Sequence, residues 1–114
     1  MEELKRSVAE FSTEREWEPF HSLKNLAMSI AIESGELMEH FQWTAGDDAQ
    51  ASLEDPGRRK AVEEELADVA IYVLQFANRG DIDLASAIRR KMRINAEKYP
   101  VERSRGNSRK YDAR

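Results

Sequence analysis

The chain contains no cysteine, so a disulfide framework, a thiolate metal site and a cysteine nucleophile are all excluded. It has only two histidines, and neither falls in the Glu-x-x-His spacing that a di-iron helical bundle uses; His40 follows Glu36 by four residues instead of three. There is no excess of positive charge: 18 Lys and Arg against 22 Asp and Glu give a formal net charge of −4. A nucleic-acid polymer is therefore not an expected partner, because general binding of that kind needs a basic footprint. No apolar run approaches the roughly 18 residues that a membrane span requires. The first residues are charged and amphipathic and lack the apolar centre of a leader peptide. The expectation is a cytoplasmic protein. No stretch has the alternating pattern of a strand, and Gly (5) and Pro (3) are few and fall between long helical patterns.

What is present is helix-forming sequence, 40% hydrophobic and 35% charged. A length of 114 residues suits one domain. Residues 2–12 read as a short helix carrying Leu4, Val8 and Phe11 on one side. Ser22 is placed to cap a long helix from Leu23 to about Trp43, with Leu23, Leu26, Ala27, Ile30, Leu37 and Phe41 as its main apolar stripe. Met28 and Ile32 fall on its opposite side. Residues 44–57 carry Gly, Pro, Asp and Ser and predict a loop. A third helix is expected over residues 58–78, with Val62, Leu66, Val69, Val73 and Phe76 as its stripe and Ile71 and Leu74 outside it; Gly80 is its stop signal. Asp83 can cap a fourth helix that ends near Tyr99, before Pro100. The fold class is all-α: a bundle of about four long helices in residues 1–100, followed by a basic tail over 101–114 that is expected to be mobile. Helices that are apolar on two sides are buried on two sides, which predicts assembly with partner subunits.

Two acidic pairs stand inside these helical patterns, Glu33-x-x-Glu36 and Glu65-x-x-Asp68. Residues three apart share a helix face. By helical projection Glu33 lies beside Leu26 and Leu37, with Glu36 one step further out. Glu65 flanks Val69 and Phe76, and Asp68 and Tyr72 continue that edge. Such pairs are common on solvated faces, and one alone says little. Two of them, each bordering an apolar stripe on neighbouring helices, would put four carboxylates around one point. That arrangement repels itself unless a cation sits in it, and an all-oxygen donor set suits Mg²⁺, with Mn²⁺ as the alternative. On the fourth helix Lys91, Asn95 and Lys98 recur at i, i+4 and i+7. Four acids, a cation and an inward lysine and asparagine suggest a site for a phosphate chain held through the metal.

Three segments together carry a resemblance: Glu33-Ser-Gly-Glu36-Leu-Met-Glu39-His-Phe-Gln-Trp43, Glu64-Glu65-Leu-Ala-Asp68-Val-Ala-Ile-Tyr72 and Lys91-Met-Arg-Ile-Asn95-Ala-Glu-Lys98-Tyr99-Pro100. The chain resembles the MazG-like all-α nucleoside triphosphate pyrophosphohydrolases, and within them the small branch that includes the dCTP pyrophosphatases. The resemblance implies hydrolysis of a (deoxy)nucleoside triphosphate to the monophosphate and pyrophosphate, in a house-cleaning role on dCTP-like or modified deoxynucleotides. It implies Mg²⁺ on Glu33, Glu36, Glu65 and Asp68, with Glu36 or Glu39 activating the attacking water. Lys91 and Asn95 would hold the phosphates. Trp17, Phe20 and Trp43 would wall the base, and Tyr72 would lie near the sugar, crowding a 2′-hydroxyl. His21 and Asn25 match the family's substrate-binding segment without an evident role. A homodimer or homotetramer is implied, with Lys110 of the tail reaching a neighbouring site in a closed state. Val8 stands where animal relatives of that branch carry a histidine, which leaves the base preference open. The competing readings are a non-catalytic helical nucleotide-binding or interaction module and a related hydrolase acting on a phosphoribosyl nucleotide.

Overall fold

The computed structural model describes residues 1–99, the side chain of Asp47 excepted. Residues 100–114, and with them Lys110 and the proposed tail, lie outside the described residues. All regular structure among the described residues is helical: α1 (Glu2–Glu14), a 3₁₀ turn (Glu18–Phe20), α2 (Leu23–Glu39), α3 (Gly46–Ser52), α4 (Pro56–Arg79) and α5 (Leu84–Lys98). None of these helices is long and apolar enough to cross a membrane. The chain divides into two compact units, one spanning Met1–Asp81 and the other beginning at Ile82.

Local chemistry sets the boundaries. Glu2 and Glu3 place negative charge in the first turn of α1, where the helix dipole favours it. Its far end closes in a Schellman pattern. The amide of Trp17 donates to the Ser12 carbonyl and that of Glu16 to the Thr13 carbonyl, both at 3.0 Å. The left-handed position this requires is filled by Glu16, at φ 54°, where glycine is the usual occupant. Helix α2 starts where expected, with Ser22 accepting from the amide of Asn25 at 3.1 Å. It ends at Glu39, earlier than expected. The backbone there tightens into shorter turns, His40 donating to the Leu37 carbonyl and Phe41 to that of Met38.

Two expectations need correction. The segment predicted as a loop contains α3, in which Ala49, Gln50 and Ala51 are good helix formers between turn residues. Helix α4 begins at Pro56 instead of Arg58, because Asp55 accepts from the Arg58 amide at 2.9 Å and proline is well suited to the first helical position. At its other end Gly80 has an ordinary φ of −86°, and Asp81 takes the left-handed φ of 54°. In the second unit, Asp83 caps α5 as predicted, accepting from the Ser86 amide at 3.1 Å and from its hydroxyl at 2.9 Å.

Helix α4 packs against both α2 and α1. Contact on two sides widens its apolar surface beyond one stripe. Leu74, expected outside the stripe, is buried together with Ala77 and with Leu26 of α2. Leu66, expected within it, is exposed. Polar bonds tie α1 to α4: Gln75 Nε2 donates to Ser12 Oγ at 3.1 Å, and Asn78 Nδ2 donates to the Lys5 carbonyl at 2.9 Å. Many large apolar side chains stay exposed, including Met28, Ile32, Met38, Leu66 and Ile71.

Candidate active site

The α2–α4 contact brings three carboxylates to one point. Glu33 and Glu36 come from α2 at i and i+3, and Glu65 comes from α4; one oxygen from each lies within 4.8 Å of the other two. Glu33 and Glu65 are half-buried and Glu36 is exposed. The Oε2 atoms of Glu33 and Glu65 are shielded from solvent and have no hydrogen-bond partner. The crowding shows in the acidities. The Glu33 carboxyl is pushed up to about 7, first because its protonated form hydrogen-bonds Glu36 and then through desolvation and the negative charges of Glu36 and Glu65. Glu65 is raised by desolvation and by the charge of Glu36, with Asp68 contributing. Carboxylates that hold protons against their ordinary acidity, two of them with an orphaned buried oxygen, fit a hard divalent cation ligated by oxygen.

Asp68 is not one of the three. It is exposed, one turn along α4 from Glu65, and lines a neighbouring groove. Glu39 is exposed at the last position of α2.

That groove, of about 760 Å³, runs between α1, the 3₁₀ turn and α4 and is walled mainly by apolar and aromatic side chains. Its size and lining match those of small-molecule sites. Trp17, Phe20, His21 and Tyr72, all anticipated as substrate-binding residues, meet in its lining together with Asp68. The aromatics are held in place. Phe11 meets Trp17 edge-on with ring centroids 5.6 Å apart, and His21 meets Trp17 at 6.2 Å. The Arg15 guanidinium lies 3.5 Å from the Phe11 ring centre and donates to the Phe11 carbonyl at 3.1 Å.

Other anticipated residues are elsewhere. Trp43, in the turn after α2, is 90% exposed and is not part of the groove. Asn25 bonds the backbone, Nδ2 donating to the Phe20 carbonyl at 3.3 Å, which fixes the 3₁₀ turn to the start of α2. Lys91 and Asn95 are exposed on α5 in the second unit. Sequence reasoning missed Gln75, which lines the groove. Its signal was a lone amide in the apolar run Val73-Leu-Gln-Phe-Ala77, at i+3 from Tyr72 and i+7 from Asp68.

An all-α protein that gathers carboxylates from facing helices beside an aromatic groove has the build of a helical metal-site protein. Residues 28–113 match the sequence profile of the MazG-like family, and the chain belongs to that family. It is 42% identical over 111 residues to mouse dCTP pyrophosphatase 1, covering 97% of this chain. Human dCTP pyrophosphatase 1 is also 42% identical over 111 residues. The chain spans 65% of the length of both relatives. A pyrophosphatase from Archaeoglobus fulgidus DSM 4304 superposes with a TM-score of 0.79 at 46% identity, covering 88% of this chain and 92% of that one.

Proposed function

We propose that the chain is a divalent-cation-dependent nucleoside triphosphate pyrophosphohydrolase that splits a (deoxy)nucleoside triphosphate and water into the monophosphate and pyrophosphate. The observation that carries this reading is the Glu33–Glu36–Glu65 cluster, with two partnerless buried oxygens, beside an aromatic groove of nucleotide size. The names of the mouse and human relatives support a dCTP-like substrate, and that of the archaeal structure supports pyrophosphatase chemistry.

Glu33, Glu36 and Glu65 would hold the cation, and Asp68, next along the edge of α4, would complete the acidic set. Mg²⁺ suits these donors and Mn²⁺ would substitute. When bound, the cation neutralises phosphate charge as it builds in the transition state. Water attacks the α-phosphorus, the bond from that phosphorus to the α–β bridging oxygen breaks, and pyrophosphate leaves. Glu36, solvent-accessible within the cluster, or Glu39, three residues further on, takes the proton from the attacking water. Trp17 and Phe20 stack on the base and exclude water from it. Tyr72, one turn beyond Asp68, lies against the sugar and disfavours a 2′-hydroxyl. The family resemblance assigns Lys91 and Asn95, one helical turn apart on α5, to neutralising and hydrogen-bonding the phosphates.

The unit buries few apolar side chains and leaves Met28, Ile32 and Leu66 exposed, which supports assembly as a homodimer or homotetramer. Trp43 would then be covered by a second copy or by substrate.

The test is product analysis on canonical and modified deoxynucleoside triphosphates with Mg²⁺ and with EDTA. The expected result is Mg²⁺-dependent release of monophosphate and pyrophosphate, fastest with dCTP or a modified relative. A folded protein that binds these nucleotides without turnover would instead establish the non-catalytic binding module.

A further inference from the structure

Among the described residues, buried side-chain atoms without a hydrogen-bond partner occur on Glu33, Glu65, Arg58 and Gln75. The two glutamates belong to the acidic cluster. Of the four residues, Gln75 is the one that lines the aromatic groove. It is only 7% exposed, and its Nε2 donates to the hydroxyl of Ser12, itself 5% exposed. That bond commits the donor end of the amide to α1 and leaves Oε1 as a desolvated acceptor with nothing to accept from; it is covered within the groove, so a base reaches it only by displacing the side chains over it. A leucine or methionine would fill the same volume without that cost. The rest of the groove has walls that stack on any base, since every base presents an aromatic face. Stacking does not tell one base from another of the same size, and a polar group in the wall does.

We propose that Gln75 is a specificity-determining residue of this groove: held by Ser12, it accepts a hydrogen bond through Oε1 from the exocyclic amino group of a nucleobase. The inference rests on the nucleotide reading above. The site then takes bases with an amino group at the pyrimidine 4-position or the purine 6-position, cytosine or adenine, and rejects the counterparts in which a carbonyl replaces that group. A carbonyl set against Oε1 brings two acceptors together and leaves both unpaired. A smaller cavity of about 190 Å³ is also lined by His21 and Gln75, together with Ser12. A water held there is the rival partner for Oε1.

The experiment compares kcat/KM within two matched pairs, dCTP with dUTP and dATP with dITP, at saturating Mg²⁺. Wild type should favour the amino member of each pair by about 10- to 100-fold. Gln75→Leu should bring each ratio to within about threefold, whereas Gln75→Glu, which keeps an acceptor, should preserve the preference. Should Gln75→Leu fail to fold, Ser12→Ala serves in its place, because it frees the amide to turn and should lower the same ratios. Equal use of both members by wild type, or ratios unchanged in Gln75→Leu, overturns the proposal and assigns Oε1 to water. Calorimetric binding of the α,β-imido analogues separates this from the parent reading. A preference for the amino analogue, with no turnover of the parent triphosphates, sinks the hydrolase and keeps the base reader. Binding of neither analogue sinks both.

Discussion

Glu33 on α2 and Glu65 on α4 face each other with an oxygen from each less than 4.8 Å apart, and each keeps a buried Oε2 that nothing in the protein satisfies. Among the described residues, no lysine or arginine forms an ion pair with either of them. Local propensity and the α2–α4 contact hold this repulsion in place, so the site is strained in its metal-free form.

Removing one charge should therefore separate activity from stability. Glu65→Gln is expected to lower kcat/KM by about 10²–10³-fold, the scale for losing one preorganised electrostatic contact. The same change should raise the Tm of the metal-free protein, because it relieves repulsion in the cluster. Activity assays and thermal melts in EDTA check both. A lower Tm in EDTA would make Glu65 a structural residue.

The acidities give a pH dependence of definite sign. Glu33 is raised from the ordinary 4.5 to about 7, and Glu65 is raised as well. Between these values the folded state binds protons that the unfolded chain has released, so stability falls as pH rises. This contribution is complete below about pH 4.5 and lost as pH passes 7. In EDTA, Tm should fall from pH 6 to pH 8. With saturating Mg²⁺ the trend should weaken or reverse, because the cation takes the place of the protons and releases them on binding. Melts at the two pH values, with and without Mg²⁺, decide it.

Packing predicts a contrast between two leucines. Leu26 is 1% exposed and is the largest fully buried side chain among the described residues, so Leu26→Ala should cost about 2–5 kcal/mol. Leu66 is 55% exposed, and within one chain Leu66→Ala should change stability by under about 0.5 kcal/mol. Denaturation at two protein concentrations makes the comparison informative. A larger, concentration-dependent loss at Leu66 would report that a second copy covers it.

Much of this was legible in the sequence. The caps Ser22 and Asp83 and the all-α class follow from short-range chemistry, which a linear pattern carries well. Glu33, Glu36 and Glu65 were legible because helical spacing places acids on a face, and the apolar stripe tells which face turns inward. The same reasoning misjudged Leu66 and Leu74, because α4 contacts two helices and a single stripe describes only one contact. Trp43 lies past the end of α2 and is exposed, so its role depends on what covers it and not on the fold of one chain. Gln75 showed in the sequence only as a lone amide in an apolar run, because its meaning depends on Ser12, 63 residues away.

The turn that delivers Trp17 to the groove carries the last prediction. Glu16 adopts φ 54°, a conformation that costs a non-glycine residue about 1–2 kcal/mol. Glycine removes that strain and loses about 0.5–1 kcal/mol in chain entropy, so Glu16→Gly should be net stabilising by about 0.5–1 kcal/mol. For a small domain that is a Tm higher by a few degrees. Glu16→Val should shift it the other way, because a β-branched side chain tolerates this region worst. If the turn sets the position of Trp17, glycine should leave KM unchanged and valine should raise it, since Trp17 N–H is bonded to Ser12 directly after the strained residue. Equal KM in both variants, with the stability changes as expected, would show that the turn is held by the Phe11–Trp17–His21 ring contacts instead.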